Sequence, residues 1–142
     1  MLDGVDDLVG RLEIPALSEG DFSMFAWIKG GAPGQAVISE FHDLNWLMAD
    51  VIAGYLGTDI GDQPMVSEVN ITDGNWHRVG LTWDNTNRTL YVDDVAVASD
   101  VQARIERSVV ELNIGCGPYE TPGTFFWGLI DDVKIYNQAI VP

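Results

Sequence analysis

Short runs of residues that favour β-strands recur along the whole chain. Valine, isoleucine, threonine and aromatic residues fill these runs, and glycine, proline, asparagine or aspartate separates one run from the next. Helical periodicity is nowhere sustained in the sequence. Because many short strands at close spacing are typical of antiparallel sandwiches, we predict an all-β fold of two packed sheets. The pattern predicts eleven strands, at Leu8–Ile14, Phe22–Lys29, Ala36–Phe41, Asn45–Val51, Gly54–Thr58, Met65–Ile71, His77–Trp83, Arg88–Val92, Val95–Ala98, Val109–Cys116 and Phe125–Tyr136.

Two short turns set the expected local topology. Asp73-Gly74 separates two strand-like runs and predicts a β-hairpin, because glycine accepts the positive φ that tight hairpin turns require. Asp93-Asp94 separates Leu90–Val92 from Val95–Val97 and predicts a second hairpin. Aspartate there takes positions that usually favour glycine, at a modest cost.

The alternation of side chains indicates which of them face the core. In His77–Trp83 every second residue is apolar, which predicts a half-buried strand. In Phe22–Ile28 both faces are largely apolar, which predicts a central strand covered on both sides. We predict that the core includes Trp27, Val79, Leu81, Trp83, Ile114 and Ile130.

The apolar alternation changes parity near the C-terminus. Apolar positions up to Ile130 and those from Val133 onward fall on opposite parities, and Asp131-Asp132 lies between them. Either both faces of this strand are buried, or a β-bulge at the two aspartates gives one of them a special position.

The charge of the chain narrows the classes of partner. The 142 residues include 22 acidic and only 7 basic side chains, a formal net charge of −15. Such a surface repels phosphate groups, so nucleic acid and anionic membranes are disfavoured as partners, whereas divalent cations suit it. No apolar run is long enough to predict insertion into a membrane. The single cysteine, Cys116, lies in an apolar run and is expected to be a buried thiol.

Three pairs of segments, in this order, carry a recognisable pattern. They are Leu2–Val9 with Phe22–Ile28, Asp73–Asp84 with Leu90–Asp94, and Asn113–Gly115 with Phe126–Asn137. Their motifs, which include Asp-Gly-x-Asp-Asp, Asp-Gly-x-Trp-His and Gly-x-Ile-Asp-Asp-Val, resemble those of the laminin-G-like family of concanavalin A-like lectins and glucanases. Two positions depart from the family pattern: Asp94 replaces a glycine and Leu8 replaces an aromatic residue.

This resemblance implies one antiparallel jelly-roll sandwich over residues 1–142. It also implies a non-catalytic, lectin-like carbohydrate-binding module. The alternative is a protein-interaction or adhesion domain that binds no glycan. The paired-carboxylate pattern of the related glucanases is missing from the sequence, so no catalytic residue is expected. The chain starts without a signal-peptide pattern, and we expect it to be part of a larger secreted or surface protein with linked domains.

The resemblance further implies a structural Ca²⁺ ion. Asp3 and Asp131 would supply carboxylates and Gly4 a backbone carbonyl, where the opening motif meets the C-terminal strand. The alternative is that these aspartates cap turns in solvent.

A glycan site needs exposed aromatic rings outside the core, together with polar groups that bind hydroxyls. Trp27, Trp76 and Trp83 lie in strongly patterned strands and are assigned to the core, and His77 is assigned to a structural role. We therefore predict a shallow, open glycan site, with core packing as the alternative for its tryptophan. Its residues would be Trp46, His42 and Tyr119. At this net charge we expect neutral glycans to be preferred unless Ca²⁺, Arg104 and Arg107 offset the repulsion.

Overall fold

The computed structural model of the chain describes residues 1–14, 20–103, 105 and 110–142. The regular elements among these residues are strands, and no helix long and apolar enough to cross a membrane is found among them. The strands are β1 (Leu2–Asp3), β2 (Val9–Glu13), β3 (Phe22–Gly30), β4 (Ala36–Glu40), β5 (Asn45–Ala49), β6 (Tyr55–Thr58), β7 (Met65–Asn70), β8 (Trp76–Trp83), β9 (Asn87–Val92), β10 (Val95–Val101), β11 (Glu111–Ile114) and β12 (Trp127–Tyr136).

The strands pair into two antiparallel sheets of six. The first sheet has the order β1-β12-β3-β8-β9-β10, and the second has the order β2-β11-β4-β5-β6-β7. The predicted all-β sandwich of two sheets is confirmed, and every one of the eleven predicted strands has a counterpart. The structure has one strand that was not predicted, β1, which is only two residues long and therefore too short to show a pattern in the sequence.

Aromatic rings on the inner faces join the two sheets. Phe22 of β3 contacts Trp46 of β5 with ring centroids 5.0 Å apart, and it contacts Trp83 of β8 at 6.1 Å. Val79 and Leu81 of the same sheet are fully buried beside them. Burial of rings of this size from both sheets adds to the hydrophobic stabilisation between the layers.

The predicted core needs two corrections. Trp27 is 38% exposed and Trp76 is 43% exposed, so neither is a core residue. In β3 the inward positions are Met24, Ala26 and Ile28, and because strand side chains alternate, Trp27 points outward. Trp83, Val79 and Leu81 are buried as predicted, whereas Ile114 and Ile130 are only partly buried.

The two predicted hairpins have different outcomes. Asp93-Asp94 connects β9 to β10, with φ of +52° and +67°, so this hairpin is confirmed. Asp73-Gly74 does not form a hairpin, because β7 lies in the second sheet and β8 in the first. Asp73 instead accepts a hydrogen bond from the N–H of Asn75 at 2.9 Å, in a turn that carries the chain from one sheet to the other.

The parity change near the C-terminus is a β-bulge. The register between β12 and β3 shifts between Asp131 and Lys134, and Asp132 has a φ of +49°. The N–H of Asp132 donates to Oδ1 of Asp131 at 2.8 Å. Of the two alternatives for these aspartates, burial of both faces or a β-bulge, the β-bulge is therefore the one observed.

The expectation of a buried thiol at Cys116 is confirmed. The side chain is fully buried, and burial raises the pKa of this thiol to about 11. The thiolate is therefore disfavoured, and Cys116 packs as a small apolar side chain.

His77 has the structural role that the sequence predicts. Its Nδ1 lies 2.9 Å from Oδ2 of Asp93, and its Nε2 lies 2.9 Å from Oδ1 of Asp73. Burial disfavours the charged imidazole, but the hydrogen bonds to the two carboxylates outweigh it and raise the pKa of His77 above 6.5. The imidazole of His77 therefore links the crossover turn to the β9–β10 hairpin.

This arrangement predicts a pH-dependent stability. Because the pKa of His77 is raised in the folded state, its contribution is complete below the unfolded pKa and is lost as the pH rises through the folded value. As the pH rises from about 6 to about 9, we expect the free energy of unfolding to fall more for the natural chain than for His77→Gln. Urea unfolding at the two pH values measures this difference, and parallel changes in the two proteins would contradict it.

Candidate functional site

Three aromatic rings stack at one end of the second sheet. The rings of Phe41 and His42 lie 3.9 Å apart at 24°, and the rings of His42 and Tyr119 lie 5.4 Å apart at 17°. We call Phe41, His42 and Tyr119 the ring stack. The guanidinium carbon of Arg11 lies 4.5 Å from the centroid of Phe41 and extends the stack as a cation–π contact.

The ring stack joins a strand turn to a distant loop. His42 lies in the turn between β4 and β5, where Glu40 and Leu44 share a backbone hydrogen bond of 2.8 Å and His42 has a φ of +60°. Tyr119 belongs to the loop that follows β11. The N–H of His42 donates to the carbonyl of Pro118 at 2.8 Å, and the hydroxyl of Tyr119 donates to the carbonyl of His42 at 3.2 Å. These two bonds hold the rings in place before any ligand arrives.

Arg11 is positioned by a buried amide. The N–H of Arg11 donates to Oδ1 of Asn113 at 3.0 Å, at a point where β2 is bulged and Arg11 has a φ of +57°. Sequence reasoning missed Arg11, although it is one of only seven basic side chains in an acidic chain.

The ring stack offers an open aromatic surface. The side chain of Tyr119 is 64% exposed, and His42 is exposed as well. A flat ring that is held parallel to its neighbour and open on its other side can stack against the apolar face of a sugar ring.

An acidic groove adjoins this surface. Its volume is about 440 Å³, and it begins at the same β4–β5 turn that carries His42. Its carboxylates, from Glu40, Asp43 and Asp62, are hydrogen-bond acceptors of the kind that bind sugar hydroxyls. The lining residues are Glu40, Asp43, Leu44, Ile60, Gly61, Asp62 and Ile105.

A separate acidic cluster lies at the start of the chain. One carboxylate oxygen from each of Asp3, Asp6 and Asp7 lies within 4.8 Å of the others. Asp3 accepts hydrogen bonds from the N–H groups of Val5 and Asp6, and the first of these is the main cause that lowers the pKa of Asp3. The donor set consists of hard oxygens and fits a cation such as Ca²⁺, with Gly4 in the middle of the turn at a φ of +76°.

Comparison with known proteins places this sandwich in a family. The sequence matches the family described as the concanavalin A-like lectin/glucanases superfamily over residues 7–142. The chain belongs to that superfamily.

Solved structures share the same fold at low sequence identity. Domain 4 of AbnA, an extracellular arabinanase from Geobacillus stearothermophilus solved in complex with arabinotriose, is 21% identical over 92% of this chain and 68% of its own, with a TM-score of 0.72. The CBM40 of a Ruminococcus gnavus sialidase, bound to α2,3-sialyllactose, is 13% identical over 96% and 94%, with a TM-score of 0.64. The NanB sialidase of Streptococcus pneumoniae is 17% identical over 96% of this chain but only 27% of its own, with a TM-score of 0.66.

Within this superfamily fold, two of the three predicted glycan residues come together. His42 and Tyr119 are in contact, although 77 positions separate them in the sequence. The assignment of Trp46 to the glycan site is wrong, because the side chain is fully buried and presents no ring face to a ligand. The core-packing alternative is the one observed. Nε1 of Trp46 donates to Oε2 of Glu40 at 3.2 Å, so this side chain supports the groove from beneath. Arg104 and Arg107 lie outside the described residues.

The predicted metal residues are not brought together. Asp3 and Gly4 are adjacent at β1, but Asp131 lies on β12 opposite Trp27, whereas Asp3 pairs with Trp127 four residues earlier. The carboxylates that lie close to that of Asp3 are those of Asp6 and Asp7. The sequence feature that could have pointed to Asp6 and Asp7 was their short spacing from Asp3, within a single turn.

Proposed function

We propose that this chain is a non-catalytic carbohydrate-binding module that binds neutral glycans on the ring stack and in the adjoining acidic groove. One observation carries the proposal: an exposed tyrosine ring, Tyr119, is held parallel to His42 by hydrogen bonds between two loops. A binding surface that is ordered in advance loses little entropy when a ligand binds.

Different residues around the ring stack would contact different groups of a bound sugar. Tyr119 offers a ring face to the C–H groups of a pyranose or furanose ring. The carboxylates of Asp43 and Asp62 accept hydrogen bonds from its hydroxyls, and the guanidinium of Arg11 is a donor on the other side of the stack. The site is shallow, so it buries little ligand surface, and we expect weak affinity for single sugars.

Charge favours glycans without carboxylates or sulfates. The groove carries three carboxylates in a protein of net charge −15, and an anionic sugar would be repelled by both. The same carboxylates do not form a marked catalytic pair, because Glu40 is engaged by Trp46 in a buried hydrogen bond. This supports a binding role over a hydrolytic one.

The setting we propose is a larger secreted or surface protein. Two of the fold relatives are single domains, one of an extracellular arabinanase and one of a sialidase, and this chain spans about a quarter of the NanB sialidase. A glycan-binding domain linked to another domain would keep that neighbour close to its polysaccharide.

Titration of ring-stack variants tests the proposed function. We expect Tyr119→Ala to weaken the binding of neutral oligosaccharides about tenfold, which corresponds to the loss of one aromatic contact. Tyr119→Phe should retain most of the affinity, because it keeps the ring. Isothermal titration with arabinotriose, xylohexaose, cellohexaose and laminarihexaose measures the effect, with 3′-sialyllactose as the anionic comparison.

The matched control is Tyr136→Ala, which removes an exposed tyrosine from β12. It should leave affinity unchanged. Binding of 3′-sialyllactose in preference to every neutral sugar would contradict the charge argument. Absence of binding to every sugar on a broad glycan array would support the alternative of a protein-interaction or adhesion domain.

We also propose that the cluster of Asp3, Asp6 and Asp7 binds a structural Ca²⁺ ion. Three carboxylates in one turn supply hard oxygen ligands, and a bound divalent cation would offset the repulsion between them. Their turn is attached to the first sheet through the pairing of Asp3 with Trp127.

A cation that binds only the folded state raises the melting temperature by mass action. We therefore expect millimolar Ca²⁺ to raise it and EDTA to reverse the change, by differential scanning fluorimetry. Asp6→Asn should abolish the shift, because it removes a ligand charge, whereas Asp131→Asn should retain it. Equal melting temperatures in Ca²⁺ and EDTA would rule out this site.

A further inference from the structure

A second aromatic surface lies on the other sheet. Trp27, Trp76, Asp131 and Asp132 line an open depression of about 510 Å³ on the outer face of the first sheet. We call these four residues the tryptophan depression. Its two indoles are among the largest exposed apolar side chains of the chain.

The strand register places the two indoles side by side. Trp27 on β3 is opposite Arg78 on β8, and Trp76 on β8 is opposite Lys29 on β3. The two tryptophans therefore occupy diagonal positions on one face of a paired strand, and such positions are within reach of aromatic side chains. β3 is paired on both sides, by β8 and β12, so the platform is rigid.

A β-bulge brings two carboxylates to the edge of the platform. Asp131 is opposite Trp27, and the bulge that follows it turns Asp132 to a φ of +49°. Bulges redirect side chains and are over-represented next to functional sites. Asp132 is paired with Lys134 at 3.1 Å, and Oδ1 of Asp131 accepts the N–H of Asp132, so Oδ2 of Asp131 is the acceptor beside the indoles.

The charges around the depression are balanced, unlike those of the whole protein. Both lysines of the chain, Lys29 and Lys134, and Arg78 lie on this face by register. Arg78 is paired with Asp94 at 2.5 Å, as Lys134 is with Asp132. A surface with paired charges, free donors and acceptors and two flat rings suits an uncharged polyhydroxylated ligand better than a cation.

We propose that the tryptophan depression is a second glycan-binding site, for an uncharged oligosaccharide of at least two sugar rings. Trp27 and Trp76 stack against successive rings, Asp131 accepts a hydrogen bond from a hydroxyl, and Lys29 donates one. This inference rests on the proposed function of the module and adds a site on the opposite sheet. Two sites on different sheets would let one module bind two segments of a polysaccharide and gain avidity from both.

The side-chain signals of the tryptophans test the proposal directly. The chain has five indole N–H groups, which give five signals in a ¹H–¹⁵N spectrum. Single Trp→Phe variants assign them. We expect titration with cellohexaose, xylohexaose or laminarihexaose to shift the signals of Trp27 and Trp76 in a saturable way. The signal of Trp83, which donates to the carbonyl of Gln102 inside the core, should stay in place.

Variants separate this site from the ring stack. In Tyr119→Ala the shifts of Trp27 and Trp76 should persist with an unchanged dissociation constant. Trp27→Ala and Asp131→Asn should each weaken that constant about tenfold or more, in line with a lost aromatic or charged hydrogen-bonding contact. Trp127→Ala is the matched control, since it removes an exposed indole of the same sheet that lies outside the depression.

Three results would overturn the second glycan site. Binding that depends on Tyr119 without any shift of Trp27 or Trp76 would overturn the second site and leave the proposed function intact. Shifts produced by choline chloride and not by oligosaccharides would overturn it in favour of a cation site. Concentration-dependent dimerisation that Trp27→Ala abolishes, without sugar shifts, would overturn it in favour of a protein interface.

Discussion

The contact of Phe22 with Trp46 and Trp83 is the constraint on which the rest of the structure depends. It joins β3 and β8 of the first sheet to β5 of the second, with ring centroids 5.0 and 6.1 Å apart. Burying Phe22 fixes the parity of β3, because strand side chains alternate between the faces. Trp27 is then turned outward by the same alternation that buries Phe22, and a slip by one residue would exchange the two.

The same contact organises the candidate glycan site. Trp46 lies between Phe22 and the end of β4, where its indole donates to Glu40. This fixes the start of the β4–β5 turn, and therefore the position of His42 under Tyr119. Trp46 itself is buried and influences the site only by supporting the groove. The exposed rings of His42 and Tyr119 lie in the turn and the loop above it. Core and binding surface are thus built from neighbouring residues of one hairpin.

Much of the fold could be predicted from the sequence, because strand alternation is a local signal. All eleven predicted strands, the Asp93-Asp94 hairpin and the bulge at Asp131 depend on residues close together in the chain. Asp73-Gly74 was mistaken for a hairpin turn, since a tight turn has the same local chemistry whether the next strand joins the same sheet or the other one. The candidate site depends on long-range register. His42 and Tyr119 were found by residue type, but the contact between them spans 77 positions, and the separation of Asp131 from Asp3 follows from a β1–β12 register that no local pattern reports.

The central claim is that the aromatic rings left outside the core bind neutral glycans. A crystal structure grown with a saturating neutral oligosaccharide, such as cellohexaose, xylohexaose or arabinotriose, tests it most directly. Sugar rings stacked on Tyr119, with hydroxyls hydrogen-bonded to Asp43 or Asp62, are the predicted result. Sugar density on a surface that touches none of the exposed aromatic rings would contradict the claim.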